Sequence, residues 1–180
     1  KYTLDIEAVS CDELYADLKT LIVDCQVDVM DFVTLLRQEI FSKTGCACSV
    51  GIGANRLQAR LATKKAKPNG QFELLSVDIK EFMKDKKITD LPGIGYSTAM
   101  NLEKIGLQTC GQLQETSLHV LQNRFGKKTG DTMSMMAKGL DDRKLVYEQT
   151  RKSVSVDINY GIRFNDEEEV RKFLKQICEE

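Results

Sequence analysis

The chain has a single histidine, no tryptophan and two prolines among 180 residues. One histidine leaves a zinc centre short of ligands, and the six cysteines, at 11, 25, 46, 48, 110 and 178, form no CxxC pair that would replace it. They are expected to be buried and reduced. No apolar run approaches the roughly 20 residues that cross a bilayer, so no membrane partner is expected. The N-terminus, KYTLDIEAV, shows no signal-peptide pattern. It also lacks a methionine, so the chain is expected to be a fragment. Net charge is only −1, so no global field draws the molecule onto nucleic acid.

What is present is a globular composition, 42% apolar and 29% charged. The charge is unevenly placed. Residues 1–40 hold nine acids against three bases, whereas residues 54–72 hold Arg56, Arg60, Lys64, Lys65 and Lys67 and no acid. A dense positive segment beside an acidic one suits phosphate binding near a metal, and equally suits a solvated helix face.

Period-two alternation predicts a strand over TLDIEAV and a returning one over LYADL, with Asp12 and Glu13 at the hairpin tip. Helical spacing of Phe32, Leu35, Leu36, Glu39 and Ile40 predicts a helix over Asp28–Lys43. CACSVGIG reads as a buried strand. Asn55 is placed to cap the basic helix that follows, and KPNG, 67–70, stops it. The first 75 residues therefore read β-β-α-β-α-β. From Ser76, where a helix is expected to start, short glycine-punctuated helices extend to about residue 143. KSVSVDINYGIRF alternates as one long strand. NDEEEVRKFLKQICEE is a helix with Asn165 as its expected cap. One strand and one helix close no core, so the chain is expected to end inside a further domain.

Adjacent acids on a solvated helix are ordinary, but at a strand end they suit a hard cation. Mg²⁺ takes one or two carboxylates plus water and phosphate oxygens, which Asp12 and Glu13 would supply. Arg60 and Lys67 would add the fixed cations a triphosphate needs if the basic helix packs beside that hairpin. LPGIG, 91–95, is the turn of a helix-hairpin-helix. Gly93 and Gly95 admit a close ligand, and Tyr96, Ser97 and Thr98 open a helix whose N–H groups bind phosphate without reading a base. GIGANR lacks the third glycine of a dinucleotide loop, and GKKT lacks the spacing of a phosphate loop. Asp141 and Asp142 read as a solvated turn, His119 as a surface or half-buried helix residue, and Met133, Met135 and Met136 as core.

VSCDE, SVGIGANRLQARLATKKAKPNGQ, LPGIG and RKSVSVDINYGIRF, in this order, resemble the Y-family translesion DNA polymerases. SCDE, GLDDR and INYGIRF resemble the eukaryotic deoxycytidyl transferase branch of that family. The resemblance implies an α+β fold: part of a polymerase palm with an antiparallel sheet at 1–85, a helical thumb at 86–145, and the start of a little-finger domain at 146–180. It implies metal ligation and catalysis by Asp12 and Glu13, and triphosphate contact by Lys67 with Arg60 nearby. Gly93, Gly95, Tyr96, Ser97 and Thr98 would hold a DNA phosphate. Arg151, Lys152, Ser153, Val154, Ser155, Val156, Asp157, Ile158 and Asn159 would follow the template backbone. The family carries a further metal-binding Asp on an earlier palm strand, expected upstream of Lys1, so the two-metal Mg²⁺ site is half present and the chain alone is expected to be inactive. Primer-template DNA, a nucleoside triphosphate (dCTP in this branch) and a nuclear location follow from the same resemblance, as do protein partners bound through other regions. The rival readings are a non-catalytic helix-hairpin-helix DNA-binding module and a protein-interaction fragment that docks through its last helix.

Overall fold

The structure is a computed structural model. It describes residues 2–148, 150, 152–159 and 161–179. The described chain divides into two compact units, Lys1–Tyr147 and Glu148–Glu180.

In the first unit, β1 (Ile6–Ala8) and β2 (Leu14–Ala16) pair antiparallel, with Glu7 opposite Tyr15. Val9 and Ser10 N–H groups both reach Glu13 O, at 2.9 and 3.1 Å, and close the turn between them. The expected hairpin therefore forms with both acids at its tip. A short helix that the pattern did not foretell follows, α1 (Lys19–Cys25). Next is the expected helix, α2 (Val29–Thr44), capped by Asp28, which accepts the Asp31 N–H at 2.9 Å. β3 (Val50–Ile52) and β4 (Gln71–Glu73) run parallel, because α3 (Arg56–Ala66) connects them as a crossover. They do not share a sheet with the hairpin. Gly51 lets α3 lie directly on β3: a Cβ there would meet Thr63 N at 2.0 Å and Ala59 O at 2.4 Å.

The remainder of the unit is helical. α4 (Ile79–Lys84) begins after Asp78, later than Ser76, because residues 76–78 form a turn closed by Asp78 N–H on Leu75 O. A single 3₁₀ turn, Ile88–Asp90, precedes α5 (Tyr96–Glu103). Then come α6 (Cys110–Glu115), α7 (Leu118–Phe125) and α8 (Lys127–Ala137). A capping box of Thr109 and Gln112 starts α6. One apolar core runs through these elements and into α3, with Leu57 and Leu61 packed together with Met83, Leu102, Leu113 and Leu121. Met133 and Met136 join it, but Met135 lies on the outer side of α8 and is exposed.

The second unit holds α9 (Glu167–Glu179). Its first turn is capped by Asp166, which accepts the Glu169 N–H at 2.9 Å, while Glu169 reaches back to the Asn165 N–H. The cap is thus one residue later than expected, at the position three before Glu169. No strand forms among the described residues of 152–164. A lone alternating segment has no second strand to pair its N–H and C=O groups, and alternation alone does not supply one.

The cysteines depart from expectation. Only Cys110 is buried, whereas Cys11, Cys25, Cys46 and Cys178 are exposed; all are free thiols. Burial pushes the Cys110 thiol up to about 12, with Asp90 adding to the effect. Gly51→Ala should lower unfolding stability by about 1–3 kcal/mol or more, because backbone atoms on α3 must move. Gly95→Ala, which meets nothing within 4 Å, should change it by less than about 1 kcal/mol. Urea unfolding of the two variants checks the contrast.

Candidate active site and DNA interface

Asp12 and Glu13 are both exposed at the hairpin tip. The Ser10 hydroxyl donates to Asp12 Oδ1 at 2.6 Å. That hydrogen bond, ahead of the nearby Lys67 charge, holds the Asp12 carboxyl below its ordinary value, in the charged form a cation requires. Lys67 Nζ lies 3.8 Å from Glu13 Oε1. Both partners are solvated, so this contact adds little stability. Its interest is positional: the end of the basic helix does meet the acidic tip.

Lys67 is held there by its neighbours. It caps α3, with its N–H on Thr63 O at 3.1 Å. The following turn is fixed by Arg37 of α2, which donates to Asn69 O at 2.7 Å, Asn69 Oδ1 at 2.8 Å and Cys48 O at 3.0 Å. Arg60 is exposed on α3 and makes no hydrogen bond or ion pair among the described residues. The structure thus brings Asp12, Glu13 and Lys67 together and shows no contact of Arg60 with them.

Sequence reasoning missed the buried charges behind the tip. Glu7, in the middle of β1, has a side chain 7% exposed, and it pairs with Arg56 Nη2 at 2.7 Å. Its other oxygen accepts the Val146 N–H at 2.9 Å. Arg56 also donates to Lys144 O at 3.0 Å, and its guanidinium sits 5.0 Å from the Tyr15 ring centroid. Asp141 joins this region. Its side chain is 2% exposed and takes two bonds from Arg143, at 2.8 and 2.7 Å, so the expected solvated turn is corrected at Asp141, whose carboxylate is buried under a half-exposed Arg143, while Asp142 is exposed as expected. Burial alone would raise the Asp141 pKa, but the Arg143 hydrogen bonds and charge, with Arg56 behind them, take it below the ordinary 3.8. No local pattern marks it, because the strand is inverted: Leu4, Ile6 and Val9 are exposed while Glu7 points in.

At the helix-hairpin-helix, Gly93 has φ +82 and Gly95 is the N-cap of α5. Gly93, Gly95, Tyr96 and Ser97 are exposed and Thr98 is half-buried, with Tyr96 84% exposed. Gly95 O accepts the Ala99 N–H, and no side chain caps this end. The start of α5 therefore faces open space with its first N–H groups free for an acceptor. Lys152–Asn159 are exposed apart from half-buried Ile158; Arg151 lies outside the described residues.

The chain matches two family profiles: residues 1–64 match the impB/mucB/samB family, and residues 89–141 match the thumb domain of DNA polymerase-iota. It belongs to the Y-family of DNA polymerases. DNA repair protein Rev1 of Drosophila melanogaster is 50% identical over 181 residues, which cover all of this chain and 18% of that protein. REV1 of Arabidopsis thaliana is 38% identical over 179 residues, 97% of this chain and 16% of that protein. DNA polymerase IV of Shewanella woodyi is 36% identical over 180 residues, with all of this chain and 49% of that protein covered. The chain thus spans under a fifth of the Rev1 relatives and about half of the polymerase IV relative. Among solved structures, DinB from Sulfolobus solfataricus superposes with a TM-score of 0.65 at 25% identity, over 77% of this chain and 40% of that one. An insertion ternary complex of Dbh DNA polymerase gives 0.68 at 24% identity, over 80% and 42%, a likeness of fold alone.

For Asp141 the pH dependence has a definite sign. Its folded pKa is depressed, so its contribution is present above 3.8 and is lost as pH falls through the lower folded value. Asp141→Asn should melt below the unmodified chain at about pH 6, and the gap should shrink toward about pH 3. Thermal melts across that range check it.

Proposed function

We propose that this segment supplies the second part of the palm (1–85), the thumb (86–145) and the start of the little finger (146–180) of a translesion DNA polymerase. The reaction is transfer of a deoxynucleotide to a primer 3′-hydroxyl. The Rev1 similarity favours dCMP, taken from dCTP and placed opposite template or damaged G. A nuclear location goes with that assignment, as do protein partners bound through regions outside this segment.

The observation that carries the reading is the meeting of Lys67 with the Asp12–Glu13 tip. Carboxylates and a fixed cation at one point suit a metal-bound triphosphate. The pair fits Mg²⁺ in part. Both acids are hard oxygen donors in the open, and Asp12 is kept ionised. Among the described residues no group of three or more His, Cys, Asp or Glu gathers around them, so the pair alone makes a sparse site. Bound there, the metal would neutralise phosphate charge and ease deprotonation of the primer hydroxyl. Lys67 would then hold a phosphate oxygen of the nucleotide, with Arg60 free to swing toward it. The N–H groups of Tyr96, Ser97 and Thr98 would seat a DNA phosphate at the start of α5, with Gly93 and Gly95 leaving room for it. Residues 151–159 would track the template backbone.

The chain alone should bind Mg²⁺ no more tightly than the ~millimolar range and should not extend a primer. Grafted in place of the matching 181 residues of the Drosophila protein, it should support extension with Mg²⁺ and dCTP. In that graft, Asp12→Ala or Glu13→Ala should cut extension by about a hundredfold or more while the melting temperature holds. Primer extension beside a thermal melt decides. Undiminished extension by both variants would return the chain to a helix-hairpin-helix DNA-binding module.

A further inference from the structure

We infer that Arg56 is a positioning residue for the Asp12–Glu13 pair, a role that rests on the metal reading of that pair. The hairpin bearing the two acids shares no sheet with β3 and β4, so ladder hydrogen bonds do not fix it to the rest of the unit. Arg56 grips both of its strands at one rung. Glu7 and Tyr15 are directly opposed across the hairpin. The guanidinium pairs with Glu7 on β1 and lies against the Tyr15 ring on β2. Glu13 is two residues from Tyr15, so a shift at that rung reaches the tip within a single strand step.

Arg56 is itself immobilised. It is the first residue of α3, directly after the Asn55 cap, whose side chain accepts the Gln58 N–H at 2.9 Å and donates to Gly139 O at 3.0 Å. Its side chain is 18% exposed, and Nε is buried without a hydrogen-bond partner. A planar fork that spends one arm on Glu7, the other on Lys144 O and its face on Tyr15 is a demand lysine cannot meet, since an ammonium has no flat face and no fixed fork. An unpaired buried Nε is the cost of that three-way geometry.

The test uses the whole chain and two variants, Arg56→Lys, which keeps the charge, and Arg56→Met, which removes it. Amide hydrogen exchange is read at Val9 and Ser10, which close the tip on Glu13 O, and at Leu107 and Cys110 in the helical part. Mn²⁺-induced broadening of the Asp12 and Glu13 amides is titrated in the same samples. The expected result is faster exchange at Val9 and Ser10 in both variants, by about tenfold or more beyond any rise shared by Leu107 and Cys110. The Mn²⁺ concentration for half-broadening should rise with it. Unchanged exchange at the tip would overturn the inference, and so would an equal rise at all four amides, which marks general loosening. If Asp12→Ala abolished the broadening while Arg56→Lys left it intact, the metal reading would stand and the positioning role would fall.

Discussion

The buried ion pair between Glu7 and Arg56 is the constraint on which the candidate site depends. Taking both charges out of water costs several kcal/mol per ion, and removing one partner of such a pair typically costs about 3–5 kcal/mol. The pair is made tolerable by further bonds: Glu7 receives the Val146 N–H, and Arg56 reaches Lys144 O. The segment that leaves the helical part, residues 144–146, is therefore fastened to the hairpin through the same two side chains. The nearby Asp141–Arg143 pair adds one more acid and one more base, with the Asp141 carboxylate buried and the Arg143 guanidinium half in water.

From this pair outward, α3 organises the unit. At its start, Asn55 and Gln58 both donate to Gly139 O at 3.0 Å, which ties the palm-like helix to the end of α8. In its middle, Leu57 and Leu61 enter the core shared with the thumb-like helices. At its end, Lys67 meets Glu13. One helix thus sets the rung behind the acids, the packing of the helical part and the cation beside the acids. The motif GIGANR, which fails as a dinucleotide loop, leads into this joint.

Much of that arrangement was legible. The hairpin with Asp12 and Glu13 at its tip, the helix after Asp28, the Asn55 cap and the KPNG stop all rest on local chemistry, and local chemistry is written in the sequence. The family resemblance rested on ordered motifs and carried further than any one of them. What escaped notice depended on distant partners. Glu7 reads as the polar half of an alternating strand, and only Arg56, 49 positions away, makes the inward orientation affordable. Asp141 looks solvated until Arg143 is seen to hold it. KSVSVDINYGIRF has the pattern of a strand but no described partner to pair with, and pairing is what makes a strand.

The central claim is that Glu7 and Arg56 stabilise the unit jointly. A double-mutant cycle of Glu7→Gln, Arg56→Met and the double variant, followed by urea unfolding, measures it most directly. A coupling of about 1–3 kcal/mol is predicted, with the double variant less damaged than the sum of the singles. Additivity within about 0.5 kcal/mol would contradict the account, because each residue would then act alone.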